Sequence, residues 1–398
     1  MKLKQLVTTA ILLLFITAVK AQTPDDVLNI LIQKGTITQG EADSIRAESA
    51  IKKQENKPTS KTYPLSATGP FQIYGYTQAR YQSYQLAGQI ASFDIRRARL
   101  DIRGNLSDQW EYRLQTDFVG NKGATGSAAT GGAYLSPLLL DAYAVYKPLS
   151  FLRITAGQFL IPFSRENTET PDRDLLTVDR SQVVNALVAR SGDGSNKLVD
   201  SLGNQNGRDI GIQVLGTFFK TSDRYIVDYY LALLNGAGIN TVDNNNNKDF
   251  ASRLVIRPIK GLRVGGSYYN GVDRFTSSTT KNQKRIRWGA EAAYDYNNLA
   301  IAAEYIKGWE GNTTQIIHHG WYAQAAYYIV PQKLQGVFKY DTYNPNTIVT
   351  NATNTYYVFG ANYYFTKWAK IQLDYSLRTE SGVSIPNDVF TTQLQIAF

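Results

Sequence analysis

From Phe71 to Phe398 apolar and polar residues alternate with a period of two. That is the spacing of strands whose two faces meet different surroundings. The clearest stretch is Ile371-Gln-Leu-Asp-Tyr-Ser-Leu377, with Ile371, Leu373, Tyr375 and Leu377 on one face and Lys370, Gln372, Asp374 and Ser376 on the other. The last strand repeats the scheme, setting Phe390, Leu394, Ile396 and Phe398 against Thr391, Gln393 and Gln395. One such strand would fit any antiparallel sheet with a wet face. Sixteen strands are expected here, over residues 71–84, 93–106, 110–118, 138–147, 151–159, 208–218, 225–234, 249–256, 262–270, 285–296, 299–307, 316–329, 334–343, 355–365, 369–378 and 388–398.

The connections alternate long and short. The short ones carry turn residues, as in Ser107-Asp108, Asn297-Asn298, Pro331-Gln332 and Thr366-Lys367. The long ones are polar, as in residues 121–137, 236–248 and 271–284. Short periplasmic turns and longer external loops mark outer-membrane barrels. Lipid offers no water to unpaired backbone groups, and closing the sheet removes its edges. The expectation is therefore an all-β fold, a transmembrane antiparallel β-barrel of 16 strands with both ends on the periplasmic side. A bore of that size holds water and needs a constriction to be selective. Residues 165–206 form the longest connection, between the fifth and sixth strands, and are expected to fold inward as the third external loop.

The chain before residue 71 reads differently. Residues 1–21 fit a secretory signal: Lys2 and Lys4, an apolar run, then Val19-Lys-Ala21. Residues 22–56 read as a periplasmic helical hairpin. Thr23-Pro24 opens its first helix, Gly35 ends it, and Thr38 with Glu41 forms a capping box for the second. Residues 57–70 read as a linker, and residues 71–398 as the barrel. The hairpin could be without chemistry, or could oligomerise or anchor the protein through its apolar stripe.

Composition changes the picture little. The chain has no cysteine, so an exported product gains no disulfide support. Its formal charge of +9 falls to +6 without Lys2, Lys4 and Lys20 and decides nothing alone. No later stretch approaches the roughly 20 apolar residues of a membrane helix. An enzyme is not expected: His318 and His319 are adjacent and point to opposite faces of a strand, with no serine beside them. Gly123–Gly132 lacks the lysine-serine ending of a phosphate-binding loop. Neither cofactor, metal nor nucleic-acid partner is expected; the partners expected are small anions and outer-membrane lipid.

The second strand holds the most suggestive chemistry, Phe93-Asp-Ile-Arg-Arg-Ala-Arg-Leu-Asp-Ile-Arg-Gly104. Its alternation slips at Arg96-Arg97, which suggests a bulge. Beyond the slip Arg97, Arg99, Asp101 and Arg103 face the bore. A row of guanidinium groups would attract and briefly hold anions. The same groups could equally pair with carboxylates such as Asp101, Glu111 or Asp117 and stiffen the wall.

With Gly157-Gln-Phe-Leu-Ile-Pro-Phe-Ser164, Glu166 and Arg208-Asp-Ile-Gly-Ile-Gln-Val-Leu-Gly216, that segment makes residues 71–398 resemble the phosphate-selective porin O/P family. The terminal Phe398 is similar to the assembly signal of outer-membrane barrels. The resemblance implies sixteen-stranded, commonly trimeric barrels whose third external loop folds inward and whose lumen carries basic residues for oxyanions. By position it marks Arg96, Arg97 and Arg99 as pore-lining and Asp117 as an acidic partner near the constriction. Arg165, Arg173, Arg180 and Arg190 are the candidates on the constriction loop. Residues 164–207, however, hold five basic and seven acidic residues, leaving −2. The function expected is passive diffusion of anions across the outer membrane, with phosphate or polyphosphate favoured. A general non-selective porin and an adhesion or scaffold barrel are the alternatives.

Overall fold

The computed structural model describes residues 24–42, 45, 71–119, 137–188, 207–275, 281–312 and 316–398. The expected signal peptide, the linker, Gly123–Gly132 and Arg190 lie outside the described residues. The chain divides into two compact units, residues 1–60 and 61–398. In the first, helix α1 (Pro24–Gln33) ends at Gly35, whose φ of 68° suits a residue without a side chain. The capping box is present: the Thr38 amide donates to Glu41 Oε2 at 2.8 Å and the Glu41 amide to Thr38 Oγ1 at 3.3 Å.

The second unit is a closed antiparallel barrel of sixteen strands, each paired with its neighbours in sequence and the first with the last. The strands are β1 (Gln72–Tyr84), β2 (Ser92–Asn105), β3 (Trp110–Asp117), β4 (Leu138–Leu149), β5 (Leu152–Leu160), β6 (Arg208–Lys220), β7 (Tyr225–Leu234) and β8 (Asp249–Ile256). They continue as β9 (Leu262–Phe275), β10 (Lys281–Tyr296), β11 (Leu299–Glu310), β12 (Ile316–Val330), β13 (Leu334–Asn344), β14 (Asn354–Tyr364), β15 (Ala369–Glu380) and β16 (Val389–Ala397). The alternation has the expected physical content. On β15 Gln372 is 1% exposed and Leu373 40%, and on β16 Gln393 is buried while Leu394 faces outward.

Three local features refine the sequence reading. Gln78 pairs with Arg97 and Ala79 with Ile95, so Arg96 is the extra residue of a bulge. The barrel closes where Gly75 and Phe398 exchange backbone hydrogen bonds of 3.0 and 2.9 Å. A Cβ on Gly75 would stand 2.3 Å from Phe398 Cζ, so the glycine is what lets the terminal ring lie against the first strand. The third feature is a difference. Residues 271–284 were expected as a loop, but β9 and β10 stay paired as far as Phe275 and Lys281. Those strand ends lack apolar alternation in the sequence, so a period-two reading does not reach them.

The buried apolar cluster lies inside the barrel. It joins Phe163, Val183, Val184, Leu187 and Val188 of the β5–β6 connection to Leu234, Ala251, Tyr269, Ile306, Tyr322 and Tyr343 of the wall. Inward positions of β7–β13 thus include an apolar bed, and one loop fills it.

Candidate functional site

The β5–β6 connection leaves the wall at Phe163-Ser164. Ser164 is buried with φ 71°, an unusual conformation for a residue with a side chain, and it is held on several sides. Its amide donates to Ser267 Oγ at 3.2 Å, and its carbonyl accepts from Thr168 Oγ1 at 2.7 Å. Asn167 Nδ2 ties the two ends of the loop together by donating to the carbonyls of Ile161 (3.1 Å) and Gly207 (3.3 Å). From this clamp the chain forms α2 (Arg165–Thr168), a single 3-10 turn (Asp172–Asp174) and α3 (Gln182–Leu187).

Two reciprocal sets of contacts hold this segment to the wall. In the first, wall carboxylates on alternate strands accept loop amides. Glu304 on β11 accepts from Arg165 N (3.1 Å) and Glu166 N (3.4 Å), and from Tyr322 Oη at 3.2 Å. Asp341 on β13 accepts from Gln182 N at 3.1 and 2.9 Å, and Asp374 on β15 from Val178 N at 2.6 Å. Glu304 and Asp341 meet the first turns of α2 and α3, where amides lack partners within the helix. Lys339 adds donors to Thr177 Oγ1 and the Asp179 carbonyl, both at 2.8 Å, and Gln372 donates to the carbonyls of Leu175 and Leu176.

In the second set, loop carboxylates meet wall arginines. Asp172 lies 3.3 Å from Arg97, 2.5 Å from Arg99 and 2.9 Å from Arg180. Asp179 lies 3.3 Å from Arg96 and 3.9 Å from Arg80. Glu169 lies 2.6 Å from Arg253, 3.5 Å from Arg263 and 4.0 Å from Arg165. The negative loop is therefore the counterpart of a positive wall. Desolvation pushes the Asp172 carboxyl up, yet Arg97, Arg180 and Arg99 together hold it well below the usual carboxylate range. Asp179 behaves alike: desolvation raises it, and Arg96, Arg80 and Arg97 bring it down to about 2.

The residues singled out from sequence occupy distinct places. Arg97 and Arg99 are 7% and 6% exposed, and Arg99 also meets Asp117 at 2.8 Å. Arg96 is a third exposed, against Asp179. Arg165 lies beside Glu169, and Arg173 beside Asp174 at 3.6 Å. Arg180 turns back into its own loop, donating to the carbonyls of Thr170 (2.8 Å) and Glu166 as well as to Asp172. Arg103 stands apart: its guanidinium lies 4.0 Å from the centre of the Tyr74 ring, and among the described residues it has no carboxylate partner. It faces a cavity of about 430 Å³ between the wall and the loop, lined by Arg103, Arg113, Arg153, Glu111 and Asp141 among others.

Sequence reasoning missed the anchors Glu304 and Asp341 and the partners Arg253 and Arg263. The available signal was an excess of acid on the loop, which calls for basic inward positions on the wall. Acidic inward positions facing helix N-termini were the other.

The model of the family described as phosphate-selective porin O and P matches residues 71–398. The chain belongs to that family. No match is found among curated proteins. Among solved structures, this porin is similar to an anion-selective porin from Comamonas acidovorans, at 12% identity and a TM-score of 0.57, over 82% of this chain and 99% of that one. It is also similar to the trimer form of OmpT from Vibrio cholerae (11%, TM-score 0.54, 82% and 99%). The outer membrane channel DcaP of Acinetobacter baumannii is a third (10%, 0.53, 85% and 99%). Identities this low carry the fold alone, and the fold is that of an outer-membrane porin.

Proposed function

We propose that the chain is a passive diffusion channel for small anions, with phosphate-like oxyanions the favoured solutes, working as a homotrimer. The observation that carries the reading is Arg103. It is a permanent cation without a carboxylate partner among the described residues, set on a cavity where three arginines face two carboxylates. A guanidinium in that position attracts anions without fixing them, as passage requires. The anion-selective relative and the trimeric one support the reading. Residues 1–21, as a signal peptide, would deliver the chain for export.

A second reading, a weakly selective porin, is favoured by one observation: Arg97 and Arg99 are engaged by Asp172 rather than open to solutes. Reversal potentials across a KCl gradient in planar bilayers test both. The proposed function gives a chloride preference and a current that falls as phosphate is added. Near-equal permeabilities without a phosphate effect would support the weakly selective porin. A cation preference, or no conductance, would overturn the anion channel.

A further inference from the structure

We propose that Asp172 is the specificity-determining residue of this channel, a tethered carboxylate standing where the wall would otherwise hold a free phosphate-like oxyanion. The proposal rests on the reading of the lumen as an anion path and names what regulates it.

Three guanidinium groups converge on this one side chain. Arg97 and Arg99 come from the same face of β2, two residues apart, and Arg180 comes from the loop. Asp172 Oδ1 takes Arg97 and Arg180, and Oδ2 takes Arg99. Gln78 Oε1 accepts from Arg97 Nη1 at 2.9 Å and so fixes the direction of that guanidinium. Arrays of fixed N–H donors around two oxygens suit carboxylate and phosphate alike.

The charge balance separates a cradle from an ordinary ion pair. Arg99 has a carboxylate of the wall, Asp117, at 2.8 Å. Arg97 has none: among the described residues Asp172 is the carboxylate within ion-pair reach of it. Without the loop carboxylate, Arg97 and Arg180 would be unmatched charges beside the bore. A buried unmatched charge is strongly unfavourable, so the cradle would recruit an anion from solution. With Asp172 in place the cradle is filled, and permeating anions meet the less confined Arg103.

The test is Asp172→Ser, which shortens the side chain, empties the cradle and removes the charge, with Asp172→Asn, which removes the charge but still fills the cradle, as the steric control. Heat-modifiable gel mobility identifies the folded barrels. Inorganic phosphate is titrated into purified folded protein by calorimetry at fixed ionic strength, and into bilayers carrying chloride current. Asp172→Ser is expected to bind phosphate at least about tenfold more tightly than the unmodified protein, the effect of one charge-assisted hydrogen bond gained. Block of current should move to correspondingly lower phosphate, Asp172→Asn should gain less than Asp172→Ser, and Arg97→Gln placed on Asp172→Ser should abolish the gain. Equal phosphate affinity in the folded variants and the parent, or a gain that survives Arg97→Gln, overturns the proposal. The parent's own reversal potential decides the underlying reading separately. An anion-preferring parent whose folded variants gain nothing sinks the Asp172 assignment alone, while a cation-preferring parent sinks the proposed function whatever the variants bind.

Discussion

Helix α3 is held inside the barrel by the Asp341 carboxyl at its first turn and by an apolar face that includes Leu187, and weakening both together should loosen it. Asp341 presents both carboxyl oxygens to a single donor, Gln182 N, so Asp341→Ala removes that acceptor and leaves a buried amide unpaired. Such a loss costs roughly 1.5–3 kcal/mol, about a 10- to 150-fold shift in the docked-to-undocked ratio. Leu187 is 1% exposed within the lumenal cluster, and Leu187→Ala costs about 2–5 kcal/mol. The two side chains lie at opposite ends of α3, so the losses should add approximately, to about 4–8 kcal/mol. Val183, Val184 and the Asp374 contact remain in every variant. Either single change should therefore leave the mean single-channel conductance near the parent value and increase current noise. The double variant should show discrete larger openings as α3 leaves the wall. Single-channel recording at fixed voltage measures this directly. A double variant with parental conductance and parental noise would refute the assignment of α3 as a docked constriction element.

Three further outcomes follow from the same geometry. Arg99→Gln should destabilise the barrel by about 3–5 kcal/mol, because both Asp117 and Asp172 lose a partner; Arg103→Gln should leave stability near the parent's and move the reversal potential toward zero, and the midpoints of urea-induced unfolding in micelles separate the two. The Asp172 carboxyl has a folded pKa below its unfolded value, so its stabilising contribution is complete above about pH 4 and is lost only as pH falls through the folded value. Carboxyl carbon NMR should place the Asp172 titration below the usual carboxylate range, and a midpoint at or above that range contradicts the three-guanidinium cradle. Gly75→Val should lower the folded fraction in detergent refolding, since its Cβ meets the Phe398 ring and, at 2.8 Å, the Arg99 carbonyl; Phe398→Ala should recover only the part due to the ring.

How much of this was legible in the chain depends on which interactions are local. A strand facing lipid must alternate, so the barrel, its sixteen strands and even the slip at Arg96 can be read residue by residue. The ends of β9 and β10 could not be read in this way, because backbone pairing by itself imposes no apolar period. The loop was legible only as a length and a charge. Its net negative charge looks inconsistent with an anion path until Asp172, Asp179 and Glu169 are placed against Arg97, Arg96 and Arg253. Contacts between residues 73 to 84 positions apart, such as Asp172 with Arg99 or Glu169 with Arg253, leave no periodic trace.

That arrangement bears on what selectivity means in this barrel. A positive wall facing a positive loop would repel the loop and leave the bore wide. A positive wall facing a loop of opposite sign holds the loop in place, but it uses the same guanidinium groups that a passing anion would need. Placement and selectivity therefore compete for Arg97 and Arg99, and the wall carboxylates Glu304, Asp341 and Asp374 relieve the competition by gripping the loop through its backbone amides. Because those three anchors ask nothing of the arginines, the placement of the loop does not rest on Asp172 alone, and selectivity should follow a change in its charge.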